Sequence, residues 1–183
     1  MGLDIRAYRN LTKLDVIFNE DGDALDKSTL QPVEYDTRTY ANPDFPGREE
    51  GVEDRAAYKA EESMGFSAGS YMGYGAWREE LAKLAGYPLS PVDRGFGHAV
   101  EMHSGGAWEA ENGPFWELIY FSDCEGVIGP VVSAKLAKDF AEFDERARRH
   151  DEAAGLNGGL YERFQLWRQA FEMAADGGLV NFY

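Results

Sequence analysis

The chain has 183 residues, of which 44% are hydrophobic and 14% aromatic, which is enough for a single packed domain over residues 1–183. Eighteen basic residues stand against 33 acidic ones, and the resulting net charge of −15 argues against direct binding to nucleic acid, which needs a basic surface. One cysteine excludes an internal disulfide, and the sequence has neither a signal-peptide pattern nor an apolar run of about 18 residues. We therefore expect a cytoplasmic protein without a membrane span.

The first part of the chain predicts short strands around a loop. Leu3, Ile5 and Ala7 alternate with polar residues, which is typical of a half-buried strand. Prolines and charged residues interrupt the stretch that follows the second predicted strand. The predicted elements are strands over about 3–9, 13–18 and 57–62, a turn over 19–23 and an excursion or loop over about 38–56.

The second part predicts helices that are amphipathic. Trp77, Leu81 and Leu84 recur at helical spacing, and Gly86 suits the end of that helix. The predicted elements are a glycine-aromatic loop over 66–75, a long glycine-rich loop over about 88–113, a buried strand over 115–121, an edge strand over 179–183, and helices over about 75–85, 133–149 and 160–175. Together these elements predict an α+β fold, in which an open sheet of about four to six strands packs against about three helices.

A polar turn directly follows the apolar run Phe115–Phe121 and reads Ser122-Asp123-Cys124-Glu125-Gly126. Ligands of α/β proteins tend to bind where a strand ends in such a turn. The two acidic neighbours of Cys124 disfavour a thiolate, so we expect this cysteine to be structural. Ser122, Asp123 and Glu125 are candidate ligand-binding residues, and capping of the turn and of the next helix is the alternative role for the two carboxylates.

The glycine-aromatic loop provides a second set of candidate binding residues. Its glycines free backbone amides, Ser70 supplies a hydroxyl, and the start of a helix favours an anion. Tyr71 and Tyr74 are suited to stack on a flat ring, Arg78 to meet a phosphate or carboxylate, and Trp108 to add a third aromatic face. The loop lacks the Gly-Lys-Ser/Thr ending of a Walker phosphate-binding motif, and its glycine spacing does not match the dinucleotide-binding fingerprint. The alternative is that the tyrosines belong to the core.

Metal and catalytic patterns are weak in this sequence. His98 and His103 flank Glu101 in the glycine-rich loop, but the spacing does not match a zinc site. We therefore expect no metal and no cofactor. The sequence leaves open whether the protein is an enzyme; it favours binding without turnover, and a hydrolase that uses Asp123, Glu125 and His103 is an alternative.

Three short motifs give the chain a resemblance to known proteins. The start Met-Gly-Leu-Asp, the loop Phe66–Tyr74 running into Trp77-Arg78, and the turn Phe121–Gly126 resemble a family of uncharacterised proteins of tailed phages and prophages. The turn is also similar to a Ser-Asp-Cys-Asp/Glu-Gly element of small bacterial proteins grouped with toxin-immunity families. The resemblance implies a phage accessory protein in the host cytoplasm, where such proteins often counter host defence.

These observations lead to one functional expectation and its alternatives. We expect a non-catalytic protein that binds a small, nucleotide-like ligand between residues 69–75 and 122–126, and so sequesters a host immune signal. A protein–protein inhibitor of a host defence protein, including an acidic mimic of DNA, is the other class besides the hydrolase. The sequence leaves a homo-oligomer open.

Overall fold

The fold is known from a computed structural model, which describes residues 2–93, 95, 98–122, 125–155 and 159–183. The described residues form eleven strands and six helices, and this confirms the predicted α+β class. The strands are β1 (Gly2–Arg9), β2 (Thr12–Lys13), β3 (Val16–Phe18), β4 (Ala24–Asp26), β5 (Thr37–Arg38), β6 (Ala57–Lys59), β7 (Glu62–Ser70), β8 (Ser90–Asp93), β9 (Ala99–Met102), β10 (Gly126–Ile128) and β11 (Leu179–Phe182). The helices are α1 (Tyr71–Ala85), α2 (His103–Ala110), α3 (Trp116–Tyr120), α4 (Pro130–Glu142), α5 (Asp144–Ala154) and α6 (Gly159–Ala174). None of these helices combines the length and the apolar character of a membrane span.

The main sheet has four antiparallel strands in the order β10-β11-β1-β7. Leu3, Ile5 and Ala7 of β1 are buried as predicted, because alternate side chains of a strand face the same side. The strand predicted over 179–183 is present as β11, but it pairs with both β1 and β10, so it lies inside the sheet and the predicted edge position is wrong. The described residues also form three smaller sheets, β2-β6-β5, β3-β4 and β8-β9.

The helices cover the main sheet with an aromatic core. Trp167 of α6 stacks on Tyr74 at 5.8 Å between ring centroids and packs edge-to-face on Phe66 of β7 at 5.2 Å. Phe140 of α4 contacts Phe164 of α6 at 4.7 Å. The buried aromatic side chains of α1, α4 and α6 follow the helical spacing of the sequence, which is why the buried faces of these helices are predictable.

The apolar run Phe115–Phe121 is not the predicted strand, because it forms the short helix α3. Phe115 starts the helix with a φ of +56°, and its backbone N–H donates to Asp139 Oδ2 at 2.7 Å. Phe115, Leu118, Ile119 and Phe121 are all fully buried. Every residue of this run except Glu117 is apolar or aromatic, so the sequence shows no helical period and the run resembles a buried strand.

The predicted loop over 88–113 is also wrong, since it contains the β8-β9 hairpin and α2. The glycines that suggested a loop serve close packing. A Cβ atom on Gly106 would lie 2.1 Å from the carbonyl oxygen of Pro88, and one on Gly105 would lie 2.7 Å from that of Ser90. Small residues here allow α2 to approach the hairpin.

Two other predicted boundaries move. The loop predicted over 66–75 is the end of β7 followed by the first turns of α1. The helix predicted over 133–149 divides at Phe143 into α4 and α5, and it starts at Pro130 with Gly129 as its N-cap. Ser133 is buried inside α4, where its Oγ donates to the carbonyl of Ile128. Of the loop predicted over about 38–56, residues 39–56 contain neither helix nor strand, whereas Arg38 belongs to β5.

Gly75 offers a direct test of the α1 boundary. Because it lies inside a regular helix and a Cβ atom at this position would have no other atom within 4 Å, Gly75→Ala should stabilise the protein by about 0.5–1 kcal/mol. Urea denaturation monitored by circular dichroism measures this. If residue 75 belonged to the glycine-aromatic loop and not to the helix, the substitution would bring no such gain.

Candidate functional site

Ser70 and Tyr71 lie at the start of α1. Ser70 is the N-cap, and its Oγ accepts a hydrogen bond from Gly73 N at 3.1 Å, so this hydroxyl already has a structural role. Tyr71 is 43% exposed on the first turn. It lines a cavity of about 580 Å³ together with Met72, Arg78 and Met102 among others.

Tyr74 is a core residue and not a stacking platform for a ligand. It is 2% exposed, one ring face lies against Trp167, and its hydroxyl donates to the carbonyl of Phe121 at 2.9 Å. Burial raises the pKa of this phenol well above its usual value, so it stays a donor. The alternative interpretation of this tyrosine, as a core aromatic, is therefore the right one.

Arg78 joins α1 to α3. Its Nη1 donates to the carbonyl of Ile119 at 2.8 Å, and its guanidinium lies 5.1 Å from the Tyr74 ring centroid. Together with the bond from Tyr74 to Phe121, this bond joins the first turns of α1 to the end of α3, just before the predicted turn. In the described part of the chain, the cavity beside Tyr71 and Arg78 is not lined by Ser122 or Glu125.

The predicted turn is described only in part. Asp123 and Cys124 lie outside the described residues. Ser122 and Glu125 are exposed, and the carbonyl of Glu125 accepts a hydrogen bond from Asn42 Nδ2 at 2.7 Å. The proposed roles of Ser122, Asp123 and Glu125 in ligand binding stay predictions.

Side chains from three other elements hold α3 in place. At its start, Lys135 Nζ donates to the carbonyl of Gly113 and to Glu117 Oε2, both at 2.5 Å, and forms an ion pair with Asp139 at 2.8 Å. At its end, Trp108 Nε1 donates to the carbonyl of Ile119 at 3.4 Å, beside the bond from Arg78. Donors at the carboxyl end of a helix satisfy carbonyls that have no partner within it. The exposed side of α3 is therefore fixed in orientation.

An aromatic cleft of about 400 Å³ lies along that side of α3. The Trp116 and Tyr120 rings stack at 5.3 Å with an interplanar angle of 15°, and Phe45 meets Tyr120 edge-to-face at 5.8 Å. The term aromatic cleft refers below to Phe45, Arg48, Trp108, Trp116 and Tyr120; exposed Asp44, Pro46 and Glu111 complete its lining.

Arg48 is the unusual residue of the aromatic cleft. It is only 7% exposed, yet it forms no salt bridge with any described residue. Its Nε donates to the carbonyl of Glu117 at 3.1 Å, and its guanidinium lies 4.6 Å from the Trp116 ring centroid. Burial lowers the pKa of this guanidinium, although nearby Glu117 and Glu49 oppose the shift. Burial of a cation that forms no ion pair within the described residues is costly, and this makes Arg48 a candidate site for an anionic ligand.

Sequence reasoning found one residue of the aromatic cleft, Trp108, and missed the other four. Trp116 and Tyr120 belong to the aromatic run, which the sequence predicts to be a buried strand and not a helix with an exposed side. Arg48 stands in a loop with no motif around it, and only the fold brings it to α3. No group of three or more histidine, cysteine or acidic side chains in the described ranges is arranged to hold a metal ion.

Comparison with protein-family models, curated proteins and solved structures finds no match to this chain. The resemblance to proteins of tailed phages and prophages therefore stays a prediction.

Proposed function

We propose that the protein binds, without turnover, a small nucleotide-like ligand in the aromatic cleft. The observation that carries this proposal is Arg48, a nearly buried guanidinium without an ion pair among the described residues, at the wall of an aromatic cavity. The chemistry is that expected from the sequence, but the site differs: Trp108 is kept, and Arg48 replaces Arg78 as the residue for the anion.

The aromatic cleft has separate contacts for a flat ring of the ligand and for its anionic group. Aromatic faces of Trp108 and Tyr120 suit a flat ring, since stacked ring pairs add about 0.5–1.5 kcal/mol beyond the area that they bury. The two Nη groups of Arg48 suit a phosphate or carboxylate, because the planar guanidinium makes paired hydrogen bonds. Asp44 and Glu111 at the rim favour a ligand that also carries hydrogen-bond donors, such as a base with an amino group.

Binding of such a ligand without turnover would be enough to sequester a signalling molecule of the host. A protein that only holds its ligand needs a site that excludes water and no acid–base pair. If the resemblance to phage proteins is correct, a signalling nucleotide of the host is the ligand class that fits a protein with this role.

Arg48→Met is expected to weaken the binding of adenosine 5′-monophosphate by about 10- to 100-fold, because a hydrogen bond to a charged group contributes about 1.5–3 kcal/mol. Adenosine, which lacks the phosphate, should bind equally to both proteins. Isothermal titration calorimetry measures the affinities, and quenching of the Trp108 and Trp116 fluorescence reports on the cleft itself.

Arg55→Met is the matched control, because the Arg55 side chain is 78% exposed and, among the described residues, forms an ion pair only with its neighbour Asp54. Tyr71→Ala and Ser122→Ala change the site predicted from the sequence, and their affinities for adenosine 5′-monophosphate show whether the ligand binds there or in the aromatic cleft. If neither this probe nor a panel of linear and cyclic nucleotides binds below about 1 mM, or if Arg48→Met binds as the parent does, the proposal is wrong.

A further inference from the structure

Strand β7 is an open edge of the main sheet. It is nine residues long and pairs with β1 on one side only. Its sequence, Glu-Ser-Met-Gly-Phe-Ser-Ala-Gly-Ser, contains no lysine, arginine or proline. Natural proteins usually protect a long edge with such residues, because its unpaired backbone groups template another strand.

The hydrogen-bonding pattern shows which backbone groups face outward. Asp4 and Tyr183 exchange two backbone hydrogen bonds, of 3.2 and 3.0 Å, so Asp4 directs its backbone groups toward β11. Because this direction alternates along a strand, Ile5 and Ala7 direct theirs toward β7, where Phe66 and Met64 are their register partners.

The backbone N–H and C=O groups of Ser63, Gly65 and Ser67 therefore point away from β1. All three residues are exposed, and no described residue outside the strand donates to or accepts from these backbone groups. The side chains of Met64 and Phe66, on the opposite face, are only half-buried although they pack on the core. The edge thus offers three donors, three acceptors and an apolar flank.

We propose that β7 pairs with β7 of a second copy of this chain, antiparallel about a two-fold axis through Gly65, to give a continuous eight-stranded sheet. This register places Gly65 opposite Gly65 of the second copy and Ser63 opposite its Ser67, which are hydrogen-bonded pairs, and Met64 opposite its Phe66. Polar side chains then face polar ones and apolar side chains face apolar ones.

Charge also permits a second copy at this edge, even though the chain carries −15 overall. Glu62 is the only charged residue of β7, and it already forms a 3.0 Å ion pair with Arg9. In the proposed register it lies opposite Ala68 of the second copy, so no like charges meet. The inference is independent of the aromatic cleft, which lies along α3.

Sedimentation equilibrium between about 1 µM and about 1 mM tests the dimer. Ser63→Pro removes an outward N–H without touching the β1 ladder, so we expect it to weaken the dimer by at least about tenfold while near-ultraviolet circular dichroism stays native. Ser63→Thr keeps the N–H and is the matched control. A chain that stays monomeric over this range, or a Ser63→Pro dimer as tight as the Ser63→Thr dimer, would overturn the proposal.

A cross-link tests the register. Hydrogen-bonded partners in antiparallel strands have Cα atoms about 5.5 Å apart, which a disulfide can span. In a Cys124→Ser background, Ser63→Cys combined with Ser67→Cys should therefore give a covalent dimer on mild oxidation, whereas Ser63→Cys alone should not. Absence of the covalent dimer from the double variant would contradict the two-fold axis at Gly65.

Discussion

Replacement of Lys135 by methionine should lower the free energy of unfolding by about 2–3 kcal/mol and weaken ligand binding at the aromatic cleft. Lys135 lies between Glu117 and Asp139, whose side chains are 20% and 13% exposed, and it also binds the carbonyl of Gly113. Without the ammonium group, two poorly hydrated carboxylates face each other at the start of α3. Urea denaturation gives the stability, and calorimetry with adenosine 5′-monophosphate gives the affinity.

The loss of binding follows from the position of α3. Asp139 accepts the N–H of Phe115, and Glu117 presents its carbonyl to Arg48, so both acidic residues hold the helix that carries Trp116 and Tyr120. A displacement of Asp139 or Glu117 would move both the aromatic wall and the guanidinium. We therefore expect a lower affinity even under conditions where the variant is fully folded.

Lys138→Met is the matched control, because Lys138 lies on the exposed side of the same helix and should change stability by no more than about 0.5 kcal/mol. Combining Lys135→Met with Glu117→Gln removes one of the two uncompensated charges and should restore part of the stability. If Lys135→Met were as stable as the control, the ion pairs would contribute nothing to the position of α3, and the account of the cleft would fail with them.

The helices were predictable where their sequence is long enough to show a period. Trp77, Leu81 and Leu84 are buried on α1, and Leu136 and Phe140 on α4, at the expected spacing. Helix α3 has only five residues and starts at a phenylalanine with positive φ, so no period distinguishes it from a strand. Its conformation depends on Asp139 and Lys135, which lie outside the segment itself.

The site shows the same limit. Sequence reasoning placed a ligand pocket between residues 69–75 and 122–126, and that pocket stays a prediction; the hydrogen bonds from Tyr74 and Arg78 reach the carbonyls of Phe121 and Ile119, just before the turn. Sequence reasoning could not find Arg48, because the hydrogen bond to the Glu117 carbonyl spans 69 positions of sequence. A contact of that separation depends on the whole fold, and no local pattern records it.

Gly178→Ala should be the most destabilising of these substitutions, with a loss of more than about 4 kcal/mol or failure to fold. A Cβ atom at this position would lie 1.8 Å from the carbonyl oxygen of Tyr8 and 3.1 Å from the Cα of Ala174. Both are backbone atoms that no side-chain rotation can move. The strand β11 would have to separate from β1 at the centre of the sheet, and thermal or urea denaturation of the purified variant measures the cost.

The neighbouring Gly177 provides the control, because its backbone conformation favours glycine, whereas Gly178 is required by a close backbone contact. Gly177 has a φ of +59° and no atom closer than 3.9 Å to a Cβ, so Gly177→Ala should cost only about 1–2 kcal/mol, the strain of a left-handed backbone. The alternative interpretation is that both glycines serve only to end the segment after α6. Equal effects of the two substitutions would support that interpretation, whereas a much larger effect at Gly178 would show that the glycine is required for the contact between β1 and β11 that holds the sheet together.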